Sequence, residues 1–179
     1  ARALDRTVVL VGLMGAGKGC LGRRLAARSR VAFVLADAGI EQAAGCSIAE
    51  IFQKYGEPYF RDGERRVMSR LLHGAPSILA AGGGAFMDPD TRALIGARAI
   101  SIWLKADLDT LSLRTKGRTH RPLLNGGDPR EVLGRLIDAR YPVYEQADIT
   151  VETGHDNPTV TCLRVLSAIE EFLGMTLIT

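Results

Sequence analysis

A glycine-rich loop near the start of the chain limits the possible folds more than any other feature. An apolar run over Thr7–Leu13 leads into the pattern Gly12-x-x-x-x-Gly17-Lys18, and a helical pattern follows to about Arg30. Glycines at this spacing let backbone amides turn toward phosphate oxygens, while the helix N-terminus adds its dipole and Lys18 adds a point charge. The loop therefore predicts phosphate binding. The alternative is a glycine-rich turn without a ligand, and the flanking strand and helix argue against it.

The rest of the chain alternates apolar runs with helical patterns, which is typical of βαβ units around a parallel sheet. The predicted strands are Thr7–Leu13, Val31–Leu35, Ser77–Ala81, Ala99–Leu104 and Asp148–Glu152. The predicted helices run from the glycine loop to about Arg30, over Ile40–Tyr55 and Pro58–His73, from Asp88-Pro89, from Asp107 to about Thr115, from Asp128-Pro129 through about Gln146, and from Asn157-Pro158 to about Leu173. We expect an α/β protein with a five-stranded parallel sheet flanked by helices, formed as a single domain over residues 1–179.

Composition narrows the function classes. The 179 residues are 46% apolar and 24% charged, with a formal net charge of +3 and the basic residues scattered. That pattern predicts no nucleic-acid partner, and no apolar run approaches the length of a membrane span. With no signal-type apolar segment either, we expect a cytoplasmic protein. The three cysteines are far apart and lack CxxC spacing, which indicates reduced thiols. No long apolar surface stripe is left over, so we expect a monomer.

The residue after Lys18 departs from the usual P-loop pattern. Serine or threonine stands there in that pattern, because its hydroxyl binds Mg²⁺, but this chain has Gly19. Cys20 follows, and a thiol is a poor ligand for Mg²⁺. Phosphate binding by backbone amides is expected to survive this change, and no protein metal ligand is predicted.

Five phrases in order resemble the shikimate kinase family, from about Thr7 to Leu173. They are GLMGAGK with GRRLA; Phe33 and Asp37 leading into IE, with GxSIAEIF and YGExxFRxxE; Gly82-Gly83-Gly84-Ala85; Arg121-Pro122-Leu123-Leu124; and Arg140-Tyr141-Pro142-Val143-Tyr144-Glu145. The resemblance implies a three-layer P-loop kinase fold with a mobile lid over about residues 114–127 and shikimate-binding helices over about 37–73. It also implies ATP-dependent phosphorylation of shikimate to shikimate 3-phosphate, a step toward the aromatic amino acids.

The resemblance further implies a role for individual residues. The implied catalytic residues are Lys18, Asp37 and Arg121. The implied ATP-binding residues are Gly15, Ala16, Gly17, Lys18, Gly19, Cys20, Arg114, Arg121 and Pro158. The implied shikimate-binding residues are Asp37, Arg61, Gly82, Gly83, Gly84 and Arg140. These types suit the chemistry, because guanidinium groups pair with a carboxylate in bidentate fashion and a carboxylate can orient the attacking hydroxyl.

Each role also has a purely structural alternative. The Arg61 side chain can pair with acids on its own helix, at Glu57 or Glu64, and Arg140 can pair with Glu145. Asp37 can simply cap the helix that follows it. The triple glycine can be an ordinary turn and the basic segment a solvated loop.

Two departures from the family affect the metal and nucleotide sites. The family usually carries two acids, DxD, where this chain has Leu35-Ala36-Asp37, and the first acid holds magnesium through its water shell. Mg²⁺ is still expected to arrive with ATP, since it binds largely through substrate phosphates, but we expect slower turnover. Asp156 also stands where some members carry an adenine-contacting arginine.

Two other functions remain open at this stage. One is a catalytically degenerate domain that binds shikimate or another carboxylated ring as a sensor or regulator. The other is a kinase acting on gluconate or a nucleotide, although Arg61, the triple glycine and Arg140 argue against a nucleotide acceptor.

Overall fold

The structure is a computed structural model that describes residues 1–116 and 127–179. Five strands are present in these ranges: β1 Thr7–Val11, β2 Ala32–Leu35, β3 Ser77–Ala80, β4 Ala99–Lys105 and β5 Ile149–Glu152. The helices are α1 Lys18–Ser29, α2 Ala36–Ala44, α3 Ile48–Tyr55, α4 Glu57–Leu72, α5 Pro89–Arg98, α6 Leu108–Thr115, α7 Pro129–Tyr144 and α8 Pro158–Leu173, with a short 3₁₀ turn at Ala85–Met87.

The strands form one parallel sheet in the order β2-β3-β1-β4-β5. Central strand β1 is buried along its whole length, as expected for a strand covered on both faces. In the pairing register Val9 lies opposite Leu79 of β3 and Ser101 of β4. Helix α1 packs against β2, β3 and α8, and α5 packs against β4. The predicted α/β fold with five parallel strands is confirmed, while the predicted lid lies mostly in residues 117–126, outside the described ranges.

The predicted single helix over Ile40–Tyr55 is wrong, because the chain breaks there into α2 and α3. Gly45 ends α2 in the left-handed conformation with φ of 71°. Ser47 then starts α3 with a capping box: its hydroxyl accepts a hydrogen bond from the Glu50 amide at 3.1 Å, and the Glu50 side chain reaches back to the Ser47 amide.

Helix starts agree with most of the predicted caps. The side chains of Asp88, Asp107 and Asn157 accept hydrogen bonds from amides in the first turns of α5, α6 and α8. Asp128 precedes α7 but its side chain makes no capping bond. The alternative that Asp37 caps α2 is also wrong, since α2 begins at Ala36 and Asp37 lies within its first turn.

The main hydrophobic core surrounds the sheet, and a smaller cluster lies under α2, α3 and α4. The small cluster consists of the buried residues Ile40, Ile51, Phe60 and Val67. It fixes α2 against α4, the two helices that carry Asp37 and Arg61. None of the helices within the described ranges combines the length and apolar character needed to cross a membrane.

Candidate active site

The glycine loop leaves β1 at Gly12 and turns into α1 at Lys18. Gly15 and Gly17 adopt φ values of 87° and 97°, which residues with a side chain rarely adopt. Gly17 precedes α1 without a side-chain cap, so no capping side chain occupies the first-turn amides, and Lys18, Gly19 and Cys20 line the cleft. The Lys18 ammonium donates to the Gly12 carbonyl across the loop. The result is the cradle of amides and one lysine that the sequence predicts.

Residues from the second half of the chain support this loop. Arg114 Nη1 donates to the Gly15 carbonyl at 3.0 Å, and the Thr153 hydroxyl lies 3.5 Å from the Ala16 carbonyl oxygen. Asp156 and Pro158 also line the cleft above the loop. The structure therefore brings the predicted residues Arg114 and Pro158 to the P-loop end of the cleft.

The cleft beside the loop has a volume of about 720 Å³. Its wall contains predicted residues of both substrates: Gly15, Ala16, Gly17, Lys18, Gly19, Cys20, Asp37, Gly82, Gly83, Arg114 and Pro158. Arg61, Gly84 and Arg140 do not line this volume, but they adjoin it through the triple-glycine loop. Arg121 lies outside the described residues.

The triple-glycine loop after β3 allows charged side chains to approach the backbone closely. A β-carbon at Gly82 would lie 3.1 Å from Asp37 Oδ1 and 3.0 Å from Glu64 Oε2. At Gly83 it would lie 2.8 Å from Arg140 Nη1. At Gly84 it would overlap the Arg61 guanidinium. A side chain at any of these three positions would displace a charged group from the loop, which the alternative of an ordinary turn does not explain.

Arg61 makes the intrahelical pairs that its structural alternative predicts. Its guanidinium binds Glu64 Oε1 at 2.8 Å and Glu57 Oε1 at 3.3 Å. These pairs orient the guanidinium along the Gly84 backbone, so the ion pairs and a binding role are compatible.

Two buried polar atoms of opposite charge face the glycine loop. Glu64 and Arg140 are only 3% and 7% exposed. Within the described ranges, Glu64 Oε2 and Arg140 Nη1 have no hydrogen-bond partner. Burial raises the pKa of Glu64, and the nearby Arg61 guanidinium lowers it by less. Buried polar atoms without partners are unfavourable unless a ligand satisfies them, which marks this loop as a binding surface.

The sequence reasoning missed Glu64 and Tyr144. The Tyr144 hydroxyl donates to the Gly83 carbonyl and fixes the loop, and burial raises its pKa. Tyr144 packs edge-on against buried Trp103, at 5.9 Å between ring centroids. Both missed residues stand three or four positions after a predicted arginine, on the same face of α4 or α7. Their spacing from those arginines was the sequence signal that could have identified them as site residues.

The two positions associated with magnesium carry no oxygen ligand in their side chains. Gly19 lies in the first turn of α1, and Leu35 is 36% exposed on the cleft wall. In the ranges 1–116 and 127–179, no group of three or more histidine, cysteine, aspartate or glutamate side chains is arranged to hold a metal ion.

Comparison with known proteins gives one consistent result. The profile of the family described as "Shikimate kinase" matches residues 14–170. Among curated relatives, a shikimate kinase of Paramagnetospirillum magneticum is 55% identical over 96% of this chain and 88% of its own, and one of Bradyrhizobium diazoefficiens is 52% identical over 91% and 80%. Among solved structures, a shikimate kinase from Acinetobacter baumannii in complex with shikimate superposes with a TM-score of 0.91 at 33% identity, over 94% of this chain and 95% of that one.

Proposed function

The chain belongs to the shikimate kinase family, and from that premise we propose that it transfers the γ-phosphoryl group of ATP to a hydroxyl of shikimate, giving shikimate 3-phosphate. One observation carries this proposal. The P-loop with Lys18 and the glycine loop faced by Asp37, Arg61 and Arg140 meet in a single cleft.

The nucleotide occupies the P-loop end of the cleft in this proposal. Amides of Gly15 to Lys18 hold the β- and γ-phosphates, and Lys18 leaves the Gly12 carbonyl to bind them. Arg114 and Pro158 flank the adenine. The cleft supports this placement, because Arg114 and Pro158 line the same volume as the P-loop.

Shikimate occupies the glycine-loop end. Arg140 and Arg61 bind its carboxylate, and Arg140 Nη1, which has no hydrogen-bond partner among the described residues, supports this assignment. Glu64 Oε2, which also lacks a partner in the part of the chain that the structure describes, is suited to accept a hydrogen bond from a ring hydroxyl. Gly82, Gly83 and Gly84 let a flat polyol ring lie against the backbone.

The transfer itself is an in-line displacement. Asp37 orients the attacking hydroxyl and accepts its proton. The bond from that oxygen to the γ-phosphorus forms as the bond to the β,γ-bridging oxygen breaks, and ADP leaves. Lys18 stabilises the charge on the equatorial oxygens during this exchange, together with Arg121 in our proposal.

The side chains present do not fit a protein-held Mg²⁺. Gly19 offers no hydroxyl and Leu35 offers only hydrocarbon, so no step of the mechanism is assigned to a metal bound by the protein. Mg²⁺ would enter on the nucleotide phosphates, which supply much of its coordination in kinases. We propose that turnover is slower than in relatives with a serine and an aspartate at these positions.

Phosphoryl transfer is favoured over a ligand sensor without turnover. The residues proposed to act on phosphate and hydroxyl, Lys18 and Asp37, are both in the cleft. The family match extends over residues 14–170 and includes both ends of the site.

The proposal extends to the protein's setting. We propose a single P-loop kinase domain over residues 1–179, acting as a cytoplasmic monomer on ATP and shikimate without nucleic-acid or membrane partners. The free thiols of Cys20, Cys46 and Cys162 support the cytoplasmic assignment.

A coupled ADP-release assay with shikimate tests the proposed function. We expect turnover that requires shikimate, and a fall in kcat of about 100-fold or more in Lys18→Met, since each lost transition-state donor has an effect of that order. The double variant Gly19→Ser, Leu35→Asp should have a higher kcat, because it carries the serine and the aspartate associated with magnesium. If calorimetry shows tight shikimate binding but neither the wild-type chain nor the double variant turns over, the sensor function would be favoured instead. No shikimate binding at all would reject the substrate.

A further inference from the structure

Arg23 lies over the helix turn where the metal-binding hydroxyl is absent. It stands four residues after Gly19 in α1, so the two share a face of the helix. A β-carbon at position 19 would lie 3.3 Å from Arg23 Nη1. The guanidinium therefore lies beside the first turn, where a serine side chain at position 19 would contact it closely.

The Arg23 guanidinium is held in that position by Phe33 at the start of β2. Its Cζ atom lies 5.0 Å from the centroid of the Phe33 ring, within the range of a cation–π contact. The ring itself sits directly on Gly22, where any β-carbon would overlap it. This packing places a planar cation at the edge of the cleft, on an exposed part of α1.

Arg23 shares the phosphate end of the cleft with Lys18. It lines the same volume, in which Leu35 carries no charge and the acidic residues are Asp37, Glu41 and Asp156. Within the described ranges, no carboxylate forms an ion pair with Arg23. A guanidinium is weakly hydrated and presents several donors in one plane, which suits phosphate oxygens.

We propose that Arg23 is a phosphate-binding residue that contacts the outer phosphates of the nucleotide from the α1 side, so that nucleotide binding by this chain depends less on a divalent cation. This inference rests on the proposed function for the identity of the nucleotide. Its physical basis is the loss of oxygen ligands at positions 19 and 35, combined with a positioned cation beside one of them. Arg23 would neutralise part of the charge that a protein-held metal neutralises in other P-loop kinases.

Calorimetric titration with a non-hydrolysable ATP analogue tests this inference, in excess EDTA and in excess Mg²⁺. We expect the wild-type chain to bind in EDTA, and Arg23→Gln to weaken that binding roughly tenfold or more, as for a lost hydrogen bond between charged groups. In Mg²⁺ the same substitution should have a smaller effect. AMP affinity should stay unchanged, because AMP lacks the outer phosphates.

Arg24→Gln is the matched control. Arg24 is the next residue on α1, but it points to α8, where its Nη1 lies 3.4 Å from the Thr159 hydroxyl. We expect wild-type affinity in both conditions. Gly19→Ser supplies a second variant: its hydroxyl displaces the guanidinium, so binding should weaken in EDTA and the advantage given by Mg²⁺ should increase.

The outcomes separate this inference from the proposed function. Suppose that the wild-type chain phosphorylates shikimate, but Arg23→Gln and Arg24→Gln bind the analogue in EDTA with equal affinity. The proposed function then stands and only the role of Arg23 is rejected. An equal loss of AMP affinity would also reject it, since that would indicate a structural role. If the wild-type chain binds no nucleotide in either condition, both are rejected.

Discussion

Glu64 illustrates how one buried side chain connects stability with binding. It carries a carboxylate to the glycine loop, where burial raises its pKa more than Arg61 lowers it, while Asp37 adds repulsion. A raised pKa in the folded state means that folding favours the protonated form. The stabilisation from that form is complete below the unfolded pKa, near 4.5, and is lost as the pH rises through the folded value.

Glu64→Gln should therefore gain stability relative to the wild-type chain as the pH rises. We compare the free energy of unfolding of the variant with that of the wild-type chain. The variant should gain least near pH 4.5 and most above the raised pKa of Glu64, because the amide carries no charge to bury. Urea unfolding of both proteins from pH 4.5 to 8 measures this difference. Glu57→Gln is the control, since Glu57 pairs with the same arginine from an exposed position and should show little pH dependence. A pH-independent difference for Glu64→Gln would contradict the argument.

Arg140 should bind the shikimate carboxylate through its planar fork and not only through its charge. Arg140→Lys keeps the charge but loses the bidentate geometry, so we expect shikimate affinity to fall about tenfold or more. Calorimetry measures this directly. Arg135→Lys, on an exposed position of α7, should leave affinity unchanged. Wild-type affinity in the Arg140 variant would mean that charge alone is sufficient.

At the scale of helices and strands, the sequence was most informative where patterns are local. Strands β1 to β4 were predictable because each is a largely apolar run, and β5 because Ile149 and Val151 alternate with polar residues. The break between α2 and α3 was missed because the apolar pattern continues through it. Its signals were nonetheless present: Gly45, and a serine followed three residues later by Glu50, the capping-box spacing.

Two glycine-to-alanine substitutions should change stability in opposite directions. Gly45→Ala forces a side chain into a left-handed conformation and should lower the free energy of unfolding by about 1 kcal/mol or more. At Gly96 in α5, an added β-carbon would meet no atom of the described residues within 4 Å, so Gly96→Ala should raise the free energy of unfolding by about 0.5–1 kcal/mol. Chemical denaturation of both variants measures these changes. If Gly45→Ala is neutral, the break between α2 and α3 does not depend on the glycine conformation.

At the scale of the whole molecule, the acceptor end of the site was less predictable than the phosphate end. The P-loop is one contiguous segment, so the spacing from Gly12 to Lys18 is enough to identify it in the sequence. The acceptor end depends on approaches between distant segments: Glu64 from α4, Arg140 from α7 and the glycine loop after β3. Residue types suggested the participants, but only the folded chain shows that two of their polar atoms are buried without partners in the ranges 1–116 and 127–179.

Because the two ends of the cleft are built from different segments, both ligands should bind together and stabilise the fold independently. At a concentration 100 times its Kd, each ligand should stabilise the protein by about 2.7 kcal/mol. For a chain of this size that corresponds to a rise in Tm of about 5–10 °C.

We expect the shifts from shikimate and from the non-hydrolysable ATP analogue to add in a thermal denaturation assay. Arg140→Lys should require more shikimate for the same shift while its response to the analogue stays unchanged. A combined shift no larger than the greater single shift would mean that the two ligands compete for one position, and the division of the cleft into a phosphate end and an acceptor end would be wrong.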